Sequence, residues 1–147
     1  MATKYGRISS VNPESARARV VFDDADGMVS AELPIVFTST GRDKFYHMPK
    51  IGEQVVVDVP ADSHHGDGVI LGSYYSDKQL PECQNPDKWR IKFANGDYIE
   101  HDNTTGDLKI ICSGHITING ARIDSELTRR WQNASSYKAG RQHNRNL

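Results

Sequence analysis

Hydrophobic and polar residues alternate through much of this chain with the period of two that β-strands impose, and Gly, Pro, Asn and Asp break the alternation at short intervals. From Lys4 to about Tyr75 no apolar period of helical length appears. Tyr5 to Val11 predicts a first strand, Asn12-Pro13-Glu14-Ser15 a turn, and Ala16 to Phe22 a second strand, in which Ala16, Ala18, Val20 and Phe22 alternate with Arg17 and Arg19. The acidic loop Asp23 to Gly27 ends it. Met28 to Val36 predicts a third strand, with Pro34 near its end favouring an edge position or a bulge because proline cannot donate to a ladder. Beyond the loop Thr38 to Lys44 and Phe45-Tyr46-His47-Met48-Pro49, the run Gln54 to Val59 is the most strand-like of the sequence. A polar loop, Ala61 to Gly66, separates it from an apolar strand, Val69 to Tyr75. Residues 1–76 therefore read as a small Greek-key barrel of the oligonucleotide/oligosaccharide-binding (OB) type, with an SH3-like barrel as a rival that spacing does not separate.

The pattern then changes. Residues 77–87 hold Pro81 and Pro86 among polar residues and predict an extended linker. In residues 88–123, Trp89, Ile91 and Phe93 share one face of a strand against Arg90 and Lys92. Asn95-Gly96 offers a tight hairpin turn, Tyr98 to Asp102 returns, and Thr104-Thr105-Gly106-Asp107 turns again. Leu108, Ile110 and Cys112 line one face of a third strand, and His115 to Gly120, with Ile116 and Ile118, predicts a fourth. Four such strands amount to about 32 residues, below the roughly 40 under which a lone domain needs staples or partners. A meander this small exposes its apolar face and its edges, and intertwining with identical chains answers both problems. The residues assigned to that interface between chains are Trp89, Ile91, Phe93, Leu108, Ile110, Ile116 and Ile118. In residues 124–147, Leu127, Trp131 and Ala134 fall at helical spacing, and Asp124 or Ser125 caps the start. Leu127 and Trp131 are the candidates for docking a partner, with a helix that only caps the open end of the assembly as the alternative; the polar, basic end reads as disordered.

Charge alters the picture little: the 147 residues carry a formal net charge of −1 with both signs interspersed, so no global field draws nucleic acid or anionic membrane. No apolar run approaches the roughly 20 residues that span a bilayer, and the N-terminus lacks a signal-peptide core, which predicts a soluble chain made in the cytoplasm. Cys83 and Cys112 have neither metal-ligand nor redox spacing and read as free thiols. His64 and His65 are adjacent in a polar loop and point to opposite sides of extended chain, which suits solvation better than chelation. His115 gathers three imidazoles only if it faces a three-fold axis, and its alternation with Ile116 and Ile118 places it outside. Asp23, Asp24 and Asp26 lack the ligand spacing of a calcium loop. Ser63-His64 and Ser113-Gly114-His115 have no orienting carboxylate at a predictable distance, so neither is a nucleophilic site. The reading is of a protein that is not an enzyme and needs no cofactor or metal. A second reading, a barrel that binds single-stranded nucleic acid or carbohydrate, would recruit Phe45, Tyr46, Arg17 and Arg19.

Two runs carry a specific resemblance. His47-Met48-Pro49-Lys50-Ile51-Gly52-Glu53-Gln54-Val55, followed by Gly66-Asp67-Gly68-Val69-Ile70-Leu71-Gly72-Ser73-Tyr74-Tyr75-Ser76, resembles the barrel core of the phage baseplate assembly protein V family, which forms the central spike or hub of contractile tails. Arg90 to Glu100, with Thr105-Gly106-Asp107-Leu108 after it, is similar to the start of that family's trimeric β-helix. The resemblance implies a homotrimer in the baseplate of a phage or phage-tail-like particle: three barrels form a collar on the tail tube, and the C-terminal strands wind into a spike that leads penetration of the target envelope. Tube or hub proteins, a tip protein and, transiently, the envelope are its implied partners. The family's longer members end in a His-any-His pair whose three copies hold iron. Here His115 and His143 each stand alone, and that site is not carried over.

Overall fold

The computed structural model describes residues 2–61 and 67–126. They are all-β, with no helix and two antiparallel sheets. The chain divides into two compact units, Met1–Gln84 and Asn85–Leu147, at a point within the proline-containing linker.

The first unit holds β1 (Ala2–Asn12), β2 (Arg17–Phe22), β3 (Met28–Val29), β4 (Leu33–Pro34), β5 (Gln54–Val59) and β6 (Val69–Ser73). Their order is β3-β2-β1-β5-β6, and β4 also pairs with β2. The long β1 serves both halves of the sheet, pairing through Gly6–Asn12 with β2 and through Ala2–Arg7 with β5. Alternate positions point inward: Ile8, Ala18, Val20, Phe22, Leu33, Val55, Val57 and Ile70 form one buried cluster. Six of these (Ile8, Leu33, Ile70, Val20, Val55 and Val57) are essentially shut off from water. Each contributes about 1.5–3 kcal/mol relative to exposure. This core holds the first unit together. Ala16, expected in the second strand, instead takes φ 54° in the preceding turn.

Two further expectations for this unit are corrected. The third strand, read as continuous from Met28 to Val36, is broken into β3 and β4. At the break Ser30, which is buried, binds β2 twice: its N–H donates to Val20 O (2.8 Å) and its hydroxyl accepts from Val20 N–H (2.9 Å). A side chain that takes over a ladder bond interrupts the strand that carries it. The sheet also does not close into the expected OB-type barrel. Ile35 and Ile70 form a single parallel bridge, with Val36 N–H donating to Ile70 O at 2.9 Å. The broken third strand, with Pro34 inside β4, has little regular edge to offer there.

The second unit is a meander, β7 (Lys88–Lys92), β8 (Tyr98–Asp102) and β9 (Leu108–Ile111). The Asn95-Gly96 turn differs from the expected two-residue form. Gly96 alone is left-handed, at φ 98°, and the bonds Gly96 N–H to Phe93 O (3.0 Å) and Phe93 N–H to Asp97 O (2.8 Å) close a three-residue loop with a glycine bulge. The fourth strand is absent: the chain bends at Ser113-Gly114, and residues 115–120 pair with no strand among the described residues. Glycine and serine at the bend give β9 no tight turn that would bring the following residues back alongside it. Residues 124–126 take no regular structure. The expected helix beyond them, with Leu127 and Trp131, lies outside the described residues, as do His64, His65 and His143.

Candidate functional site

Register decides what the meander presents. Trp89 pairs with His101 and His101 with Leu108; Ile91 pairs with Ile99 and Ile99 with Ile110. Residues opposite one another in a ladder share a face, so these six form two rows of three on one side of the sheet. The other side carries Lys88 opposite Asp102, Arg90 opposite Glu100 opposite Lys109, and Lys92 opposite Tyr98 opposite Ile111.

The two faces are covered in the reverse of the usual sense. Trp89 is 72% exposed, Leu108 65% and Ile110 57%, and no apolar side chain of the second unit is buried among the described residues. The buried residue there is Glu100, at 6%. Its carboxylate lies 3.6 Å from Lys88 Nζ and 3.8 Å from Arg90 Nε, and the Arg90 guanidinium rests 4.0 Å from the centre of the Tyr98 ring. A carboxylate tolerates such burial when cations stand beside it. The apolar side chains on the outer strands of this face stand open to water.

The hairpin ends are fixed by the acids of the turns. Asp97 accepts from the Asn95 amide (2.9 Å) and from Ser113 N–H (3.0 Å), tying the chain beyond β9 to the first turn. The Asn95 bond first, and the Ser113 bonds after it, hold the Asp97 carboxyl below the usual carboxylate range. Asp102 is held low as well, chiefly by Thr104 N–H (2.8 Å), then by Thr105 N–H and the Lys88 charge. These turns set the loop lengths, and the loop lengths set the register that puts the apolar rows on one face.

Of the residues assigned from sequence, the sheet brings together Trp89, Ile91, Leu108 and Ile110. Phe93 follows β7 past its end and is exposed. Ile116 and Ile118 are exposed in the unpaired stretch and are not brought to the face by a ladder. Sequence reasoning missed Ile99 and His101, the central members of both rows. Alternation along Tyr98 to Asp102 does not say which side is which, and only pairing with both neighbouring strands assigns it. Sequence reasoning also missed Glu100, whose burial has no local signature.

No group of three or more His, Cys, Asp or Glu that could hold a metal ion occurs among the described residues. Cys83 and Cys112 are free thiols. The residues of the nucleic-acid reading fall on the first unit: Phe45 and Tyr46 are exposed, and Tyr46 stacks on Phe37 at 6.5 Å. The Arg17 guanidinium donates to Glu32 O (3.1 Å) and that of Arg19 to Ser30 O (3.2 Å), so both cations are engaged in holding the broken third strand. Among the described residues no helix is long and apolar enough to cross a membrane. Neither a family model nor a curated protein matches the chain.

Proposed function

We propose that this chain is a non-enzymatic structural protein, the central spike or hub of a contractile phage tail or phage-tail-like particle. Three copies associate through residues 88–123, whose strands wind into an intertwined β spike, while the N-terminal units form a collar at the end of the tail tube. Sheath contraction supplies the driving force, and the spike supplies shape and stiffness as the tube enters the target envelope. Tube or hub proteins meet the collar, and a tip protein meets the C-terminal end.

One observation carries the reading: the second unit leaves Trp89, Ile91, Leu108 and Ile110 exposed on one face of its sheet, and among its described residues no apolar side chain is buried. A sheet of three short strands cannot stand on that basis in water, and copies of itself supply the missing cover. The first unit adds support. Antiparallel pairing of β1 with both β2 and β5, with a parallel bridge at Ile35 and Ile70, is what supports the reading of the first unit as an OB-like collar domain. The resemblance of two successive runs to the baseplate assembly protein V family supplies the biological setting. Sedimentation equilibrium of the full chain in 1 M salt tests the proposal: a mass of three chains is expected, and a monomer at micromolar concentration overturns it.

A further inference from the structure

We propose that Asn119 is a site of spontaneous covalent modification, at which the backbone nitrogen of Gly120 displaces the side-chain amide, while Asn95, which also precedes a glycine, is protected by its turn. The inference concerns the chain's own backbone chemistry and does not rest on the proposed function.

The reaction is intramolecular. Gly120 N gives up its proton to solvent base and attacks Asn119 Cγ. The new C–N bond closes a five-membered succinimide, and the Cγ–Nδ2 bond breaks as ammonia leaves with a proton from water. Water then opens the ring. Cleavage at the main-chain carbonyl leaves isoaspartate, in which the chain continues through the side-chain carbons, and cleavage at Cγ leaves aspartate. Ring closure needs a following residue with no side chain in the way, a backbone N–H free to lose its proton, and a carboxamide free to swing onto that nitrogen.

The asparagines of the described residues meet these needs unequally. Asn12 and Asn85 precede Pro13 and Pro86, whose nitrogens carry no hydrogen. Asn103 precedes the β-branched Thr104, whose N–H donates to Asp102 Oδ1 at 2.8 Å, and its own Oδ1 lies 3.1 Å from His101 Nδ1. Asn95 has the glycine, but every group the reaction uses is engaged. Its Oδ1 accepts from Asp97 N–H (3.1 Å), its Nδ2 donates to Asp97 Oδ2 (2.9 Å), and Gly96 N–H donates to Phe93 O (3.0 Å). The carboxamide is thus held at the nitrogen of Asp97, one residue past the nitrogen it would have to meet. Asn119 has no such hold. Residues 115–120 are exposed and pair with no strand among the described residues. Neither the Asn119 side chain nor Gly120 N–H makes a hydrogen bond among those residues. The same dipeptide is locked in one place and open in the other.

Peptide mapping by mass spectrometry tests the inference on the full chain incubated at pH 8 and 37 °C, with isoaspartate and aspartate located by fragmentation. Asn119 is expected to convert at least about tenfold faster than Asn95, because the bonds of the Asn95 turn must break before its ring can close. In the chain unfolded by guanidinium chloride the two rates are expected to converge, since both sites are then the same unrestrained dipeptide. An Asn119 that stays unmodified in the folded chain overturns the inference, and so do equal rates at the two sites. A difference that survives unfolding undiminished also overturns it, because the contrast would then lie in the flanking residues and not in the turn.

Discussion

Gly6 is the position where one atom matters most. It lies in the stretch of β1 that pairs with both β2 and β5, and a Cβ there would stand 2.5 Å from Val20 Cγ1 and 2.6 Å from Val21 O. The clash falls partly on backbone, which cannot move without disturbing the ladder. Gly6→Ala is therefore expected to destabilise the first unit by about 2–3 kcal/mol, read from urea unfolding. Gly41→Ala, with nothing within 4 Å of the added carbon, should stay within about 0.5 kcal/mol. At the same scale, Asp97 has a folded-state pKa below its ordinary value of 3.8. It binds fewer protons folded than unfolded, so its contribution is complete above that value and is lost as pH falls through the lower folded one. The stability difference between wild type and Asp97→Asn in thermal unfolding should thus shrink between pH 4 and pH 2; a difference undiminished at pH 2 contradicts the assignment.

At the scale of the element, the meander combines strong turn chemistry with an uncovered face. Its apolar rows predict a sharp contrast between the two sides of one sheet. Ile91→Lys and Ile110→Lys, both in the row Ile91–Ile99–Ile110, should each reduce the proposed trimer to monomer in sedimentation, because a charge would enter the core that the proposal has the chains share. Lys92→Ala and Lys109→Ala, on the other side, should leave the mass unchanged. Much of this element was legible in the residues. Trp89 and Ile91, or Leu108 and Ile110, share a face because a strand repeats every two residues, and Gly96 and Gly106 announce turns. The central strand was not legible. Ile99 and His101 alternate with Tyr98, Glu100 and Asp102, a mixture in which neither side declares itself. Only pairing to both neighbours assigns it. The fourth strand failed for a related reason: Ile116 and Ile118 alternate correctly, but alternation does not supply a partner.

At the scale of the whole molecule, the two units differ in self-sufficiency. The first encloses a continuous core built from every part of its sheet except β3, and the second has none among its described residues. Residues 1–84 alone are accordingly expected to fold as a monomer with a cooperative melting transition. A fragment that is unfolded, or that still forms trimers, would show that the association is not confined to the second unit. The near-zero net charge and the engaged Arg17 and Arg19 lead to the further expectation that single-stranded DNA binding shows no steep salt dependence.

The sequence by itself determined the β character of the chain, the local sidedness of its strands, the placement of its turns and the change of architecture in the linker. Each of these follows from period-two geometry and from the backbone preferences of glycine, proline and asparagine, which act over a few residues. Only the tertiary structure decided that Ser30 breaks the third strand, that the ends of the first sheet meet at one bridge, and that the meander covers Glu100 while leaving Trp89, Ile91, Leu108 and Ile110 open. Those outcomes depend on hydrogen bonds and register between segments far apart in the chain, and a pattern that repeats every two residues carries no information about which distant strand it will meet.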